Sequence, residues 1–184
     1  MKLRKYIQWA KKINEYDISP NLAVKSAWGF KPLDKNIKIP NFDLKGKVRG
    51  EEGYSSVKSK QISEWASTTW PELQSIEAKI QIQASGERCD PHLDFLGNYL
   101  ERACSHFPEL LDIDHSLDTP GIDVWRLFVA IDDHVPGQVF DINGKKWKWK
   151  RGEGIRLNNW QALHWTENTS GTDRILLKIT GIKL

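Results

Sequence analysis

The stretch Cys-Asp-Pro-His-Leu-Asp-Phe, residues 89–95, sets His92 and Asp94 two positions apart in a run otherwise suited to a β-strand. Residues i and i+2 of a strand share a face. An imidazole and a carboxylate buried side by side are costly unless something compensates them. Either the pair points to water, or both groups point at a cation while Leu93 turns away. Two ligands hold a cation from one side only, so a third must come from another strand. The chain has five histidines, at 92, 106, 115, 134 and 164. His106 falls in a predicted helix, His115 in an acidic loop and His134 in the turn Asp-Asp-His-Val-Pro-Gly. Only His164 sits inside a β pattern, Gln-Ala-Leu-His-Trp-Thr-Glu-Asn.

Two histidines and one carboxylate with open coordination positions make a facial triad suited to Fe(II) and O2 chemistry. His-x-Asp alone is a weak signal, since it also arises in structural roles. Arg174 strengthens it by standing ten positions after His164, the length of a strand, a turn and a returning strand. The intervening Asn-Thr-Ser-Gly-Thr-Asp has turn chemistry. An arginine returned beside the metal could grip a carboxylate with its planar fork. The plainer alternative is a strand-edge arginine paired with Asp173 or Glu167.

The elements that must position these groups are partly legible. Apolar residues at Tyr6, Ile7, Ala10 and Ile13 predict an amphipathic helix over 4–16. Residues 17–60 show little period and read as loop, with one or two short strands near Lys-Asn-Ile-Lys-Ile-Pro-Asn-Phe-Asp-Leu. A helix is expected over 55–70, starting at Ser55 or Ser56, and Pro71 could open another short one. Ile76, Ala78, Ile80, Ile82 and Ala84 alternate with polar residues, the pattern of a half-buried strand. A helix is predicted over 96–110, ending before Pro108, and a strand over 123–132. Asn143-Gly144 predicts a hairpin turn between 137–144 and 145–152, and three more strands follow. Strand after strand at short spacing argues a β-sandwich or jelly roll.

Length supports one domain, 1–184, with a helical and loop segment over 1–73 and a β core over 74–184. A net charge of +3, with no run of five basic residues, argues against nucleic acid as a partner. The alternating Trp and Lys of 145–151 read as a strand with Trp147 and Trp149 on one face. Cys89 and Cys104 form no Cys-x-x-Cys pair and read as reduced thiols, which places the protein in the cytoplasm. The N-terminus lacks the apolar core of a signal peptide, and no apolar run is long enough for a membrane span. Asp112, Asp114, His115 and Asp118 suggest either a second metal site or a solvated loop over the pocket mouth, with 96–122 acting as a lid.

Residues about 74–182 resemble the Fe(II)/2-oxoglutarate oxygenases, and within them the aspartyl/asparaginyl β-hydroxylase-like branch. The likeness rests on His-x-Asp, an arginine on the next long strand, Gly-x-x-x-x-Asn before a distal histidine, and an arginine ten positions later. It implies a double-stranded β-helix, a distorted jelly roll, with the N-terminal helices packed outside. It implies Fe(II) held by His92, Asp94 and His164, and 2-oxoglutarate held by Arg174 with Arg126 helping. It further implies O2-dependent hydroxylation of an unactivated C–H with release of succinate and CO2. The substrate would be a small molecule or peptide, through an amino-acid side chain. Trp125, Trp160 and Trp165 neighbour these positions and divide between core packing and pocket lining, with Trp165 a candidate at the cosubstrate. Phe128 stands where that branch often carries a histidine. A binding module without catalysis, or a metal-dependent cupin that uses no 2-oxoglutarate, are the rival readings. The sequence leaves the oligomeric state open.

Overall fold

A computed structural model describes residues 1–13, 30–34, 36–50, 53–117, 119–157 and 162–184. Among these residues eleven strands, numbered in chain order, form two antiparallel sheets. The larger sheet is ordered β1 (Phe30–Pro32), β9 (Gly154–Leu157), β6 (Asp123–Ala130), β11 (Arg174–Lys183), β4 (Leu73–Gln83), β3 (Ser55–Val57) and β2 (Val48–Arg49). The smaller is ordered β5 (Arg88–His92), β10 (His164–Asn168), β7 (Gln138–Ile142) and β8 (Lys145–Lys146). Phe128, Ala130, Ile155, Leu157 and Leu176 of the larger sheet pack against Phe140 and Ile142 of the smaller. The fold is thus mainly β, a jelly roll with helices outside it.

Two helical layers cover the sheets. Helix α2 (Lys60–Thr69) buries Ile62 and Ala66 against Ala78, Ile80, Ile82, Leu177 and Ile179, on the larger sheet's outer face. Helices α1 (Leu3–Ala10) and α3 (Gly97–Cys104) pack together with a 3-10 turn over Pro108–Asp112. Their layer includes Leu3, Tyr6, Ile7, Leu100, Ala103 and Leu110, and rests on Leu93, Phe95, Val124 and Ile182. Within the expected lid over 96–122, the segments 97–104 and 108–112 are helical and packed, while 113–117 and 119–122 carry no helix.

Several boundaries differ from the sequence reading. The stretch 55–57 is strand β3, because pairing with Ile80–Ile82 draws Val57 into the core. The helix starts later, where the Ser59 hydroxyl accepts from the Ile62 N–H at 3.2 Å. Pro71 opens no helix, and the chain enters β4 two residues on. Strands β1, β2 and β3 lie before residue 73 yet belong to the larger sheet, so position 73 is no structural divide. The Asn143-Gly144 turn forms as expected, with φ values of 52° and 78°. Trp147 and Trp149 are both buried while Lys148 and Lys150 are exposed, although β8 ends at Lys146.

Candidate metal centre

Strands β5 and β10 run antiparallel with His92 directly opposite His164. Asp94 lies just past the end of β5, so strand alternation alone does not place it. The hydroxyl of Tyr6, on α1, donates to the Phe95 carbonyl at 3.0 Å and ties down the segment that carries Asp94. Leu96, at φ 61°, then turns the chain into α3. Leu93 faces the helical layer, as its alternation predicts.

Among the described residues, His92, Asp94 and His164 each bring one ligand atom within 4.8 Å of the others, and all three are buried. Their second contacts orient them. His92 Nδ1 lies 2.8 Å from the Asp90 carbonyl, and His164 Nδ1 lies 2.8 Å from the Ala162 carbonyl. A carbonyl only accepts, so each Nδ1 carries a proton and each Nε2 is left for the centre of the cluster. His164 Nε2 is 3.6 Å from Asp94 Oδ2. Arg126 Nη1 also meets that oxygen as an ion pair, yet Asp94 Oδ2 and Arg126 Nε both lack an aligned hydrogen bond. A buried carboxylate oxygen facing imidazole nitrogens suits a cation. The donor set N, N, O fits a first-row divalent metal with open positions. Arg126 would then sit behind the carboxylate ligand.

The charge states agree with this arrangement. Burial alone would raise the Asp94 carboxyl, but Arg126, Lys178 and the two imidazoles hold it well below the usual carboxylate range. Burial and the neighbouring His92 push His164 down to about 3, so it stays neutral and able to ligate. Burial works against charging His92, yet the Cys89 side chain, Asp94 and the Asp90 carbonyl raise it to about 9. A metal would displace that proton, since ligation requires the neutral ring.

Arg174 opens β11 opposite Gln83 of β4. It is buried, its guanidinium lies 5.6 Å over the Phe140 ring, and Nε and Nη1 have no hydrogen-bond partner. Burial lowers its pKa to about 10, with only the Cys89 side chain acting in the opposite direction. Among the described residues no carboxylate pairs with it, and Glu167 lies near Arg88 instead. The turn that returns it to the site is pinned by Asn168, whose Nδ2 donates to the Gln83 and Thr172 carbonyls at 2.8 Å each. Sequence reading saw the turn chemistry there but missed this anchor.

Two cavities meet at His92 and Lys178. One, about 420 Å³, is lined by Asp94, Arg126, Tyr99, Lys79 and others. The other, about 20 Å³, lies among Arg174, His164, Cys89, Thr166 and Gln81. Lys178, Lys79 and Gln81 were not singled out in the sequence, because polar positions of an alternating strand read as solvent-facing. Trp165 stands on the face of β10 opposite His164, where Arg88 lies 5.3 Å over its ring. Its expected place at the cosubstrate is thereby corrected: one step along a strand reverses the side. Trp125 likewise packs on the outer side, beneath Arg156, and Trp160 lies outside the described residues. The second metal site does not assemble among the described residues. Asp112 pairs with Arg4, Asp114 with Lys2, and His115 turns inward against Tyr6, while Asp118 lies outside those residues.

No family model matches the sequence, and no curated protein matches it. Solved structures do. A Cupin 2 conserved barrel domain protein from Salinispora arenicola is 10% identical, with 80% of this chain and 90% of that chain covered and a TM-score of 0.42. A predicted oxalate decarboxylase from Thermotoga maritima is 16% identical over 87% of this chain and 98% of its own, at 0.37. A sugar phosphate isomerase of the cupin superfamily from Silicibacter pomeroyi is 8% identical over 77% and 75%, at 0.41. The first and third of these are described as cupin proteins. No helix among the described residues is long and apolar enough to cross a membrane.

Proposed function

We propose that the chain is an Fe(II)- and 2-oxoglutarate-dependent dioxygenase that hydroxylates an unactivated C–H of an amino-acid side chain, free or in a peptide, releasing succinate and CO2. The observation that carries this is Arg174: a buried cation with unpartnered N–H groups, beside two histidines and an aspartate whose ligand atoms converge. A guanidinium in that state calls for an anion from outside the chain. The distal carboxylate of 2-oxoglutarate supplies one, with its keto-acid end directed to the metal. Bound iron would supply the oxygen chemistry. The chain's own residues orient the cosubstrate, hold the carboxylate ligand in place through Arg126 and keep water out of the inter-sheet space. The 20 Å³ now beside Arg174 is less than a dicarboxylate needs, and Lys178 lines both that space and the larger cavity. A cytoplasmic location, expected from the reading of Cys89 and Cys104 as reduced thiols, is part of the same proposal.

Removing Arg174 tests the reading. Arg174→Ala should raise the 2-oxoglutarate requirement roughly 100-fold or more, the cost of leaving the partner charge uncompensated, about 3–5 kcal/mol. Fe(II) binding should stay nearly intact, and Arg174→Lys should restore only part, since a point charge cannot make the fork. Unchanged 2-oxoglutarate affinity in Arg174→Ala would end the cosubstrate assignment. One observation favours a second reading: Arg126, expected at the cosubstrate, is engaged with Asp94. A metal-dependent jelly roll that uses no 2-oxoglutarate would need no more than that pair. Decarboxylation of 2-oxoglutarate by the Fe(II)-loaded protein in air separates the two, because only the dioxygenase yields succinate.

A further inference from the structure

Strands β4 and β10 belong to different sheets, and a side-chain hydrogen bond joins their inner faces. Gln83, fully buried on β4, donates from Nε2 to the Thr166 hydroxyl on β10 at 3.1 Å. The same nitrogen donates to the Gly53 carbonyl at 3.3 Å. A carbonyl only accepts, so the nitrogen of the amide and not its oxygen lies on that side. Both N–H groups of Gln83 are thereby engaged, and its Oε1 is left buried with no partner among the described residues. An orphaned buried acceptor is costly, so a link made for stability alone would be a poor one.

The direction of this bond decides what Thr166 can do. A hydroxyl carries one proton and two lone pairs. Gln83 occupies a lone pair, so the proton is left to be donated, and no acceptor for it lies among the described residues. Thr166 stands two positions past His164 on β10, buried on the same side of the strand. It lines the small cavity together with Arg174, whose Nε and Nη1 are also without partners. A guanidinium and a hydroxyl aimed by its neighbour therefore offer donors to one space. Their placement is fixed by the sheet, since Gln83 is the register partner of Arg174 across β4 and β11. Asn168 Nδ2 donates to the Gln83 carbonyl at 2.8 Å and holds the same point of β4.

We infer that Thr166 is a binding residue for the distal carboxylate of 2-oxoglutarate, donating its hydroxyl proton to the group that Arg174 grips. Gln83 is a positioning residue that keeps this proton turned to the cavity. The inference rests on the dioxygenase reading for the identity of the anion. A carboxylate has only acceptors to offer and so matches both donors at once.

The test is calorimetric titration of full-length protein, loaded with Mn(II), with 2-oxoglutarate and without turnover. Thr166→Val keeps the shape of the side chain and removes its proton. It should weaken 2-oxoglutarate about tenfold or more, as the loss of a hydrogen bond to a charged group does. Thr166→Ser keeps the hydroxyl and should retain most of the affinity, a rescue that a packing role would not give. Mn(II) affinity should be unchanged in both. Gln83→Met should weaken 2-oxoglutarate about threefold in the otherwise native protein and not at all in Thr166→Val, because a residue that acts through the hydroxyl has nothing to act on once it is gone. Thr166→Ala and Gln83→Leu serve where the first variant does not fold. Native 2-oxoglutarate affinity in Thr166→Val, or equal losses in the valine and serine variants, overturns the role of Thr166. An undiminished Gln83→Met effect in the Thr166→Val background overturns that of Gln83. These outcomes leave the dioxygenase reading standing, whereas failure of the native protein to bind 2-oxoglutarate overturns that reading and this inference with it.

Discussion

The two faces of β4 and β11 are built from alternate residues of the same strands and do opposite things. On the outer face, Ala78, Ile80 and Ile82 meet Leu177 and Ile179 under α2, with no charged group among them. On the inner face, Glu77, Lys79, Gln81 and Gln83 stand beside Thr180, Lys178, Leu176 and Arg174, facing the smaller sheet. The outer face removes apolar area from water, which stabilises by about 25 cal/mol per Å². The inner face holds buried polar groups, each costly unless partnered. Some are satisfied within the chain, as Gln83 Nε2 is by the Thr166 hydroxyl at 3.1 Å. Arg174 is not, for two of its nitrogens. Stability is therefore concentrated on one side of the sheet and the proposed binding on the other.

Breaking each face in turn should produce opposite phenotypes. Ile80→Ala, beneath α2 and opposite Leu177, should cost about 2–5 kcal/mol in urea unfolding and leave metal affinity within about twofold. His92→Ala and His164→Ala should each abolish tight Fe(II) binding while the metal-free fold survives, since neither ring belongs to a packed apolar layer. Full-strength Fe(II) titration of both histidine variants would remove the metal centre. Loss of metal binding in a folded Ile80→Ala protein would remove the division of labour.

The same contrast explains what could be read beforehand. Alternation in Ile76–Ala84 showed that the strand has two unlike sides, and the apolar side was correctly placed in a core. It did not say which side faces the second sheet. The polar side, read as solvent-facing, is the one that lines the cavities, so Lys79, Gln81 and Lys178 went unnoticed. His92 and His164 were legible because a histidine in a β pattern is uncommon enough to stand out. The pairing of Arg126 with Asp94 was not, because it joins a strand to a residue beyond a strand end, where no periodicity applies. The helix over 96–110 was legible, but the docking of the following acidic stretch was not, because Asp112 and Asp114 pair with Arg4 and Lys2 of the distant N-terminal segment.

His115 asks whether a buried titratable ring outside the inter-sheet space acts on stability alone. It packs edge-on to Tyr6, and its Nδ1 accepts from the Gly121 N–H at 3.2 Å. Burial first, and the nearby α-amino group second, lower its pKa to about 4. The unfolded chain, near 6.5, binds the proton more readily, so this contribution is complete above about pH 6.5 and is lost as pH falls through 4. Unfolding free energy should fall by about 2–3 kcal/mol across that window from this group. His115→Gln should flatten that part of the profile, with metal affinity at neutral pH unchanged. An acid slope identical in the variant would show that His115 does not carry it.

The smallest effect should come from Trp165, one residue from a proposed metal ligand. The two side chains share β10, and strand geometry sends them to opposite faces. His164 enters the inter-sheet space, opposite His92, while Trp165 lies outside and is half-covered by the Arg88 guanidinium. A stack of that kind at an exposed site is worth about 0.5–1 kcal/mol. Trp165→Ala should therefore lower unfolding free energy by no more than about 1 kcal/mol. Affinity for Fe(II) and 2-oxoglutarate should stay within about twofold, because no backbone hydrogen bond of β10 depends on the indole. A tenfold change in either affinity would mean that the outer face reaches the site through the strand. Function would then not be confined to the inner side, and the separation of the two faces would fail at its narrowest point.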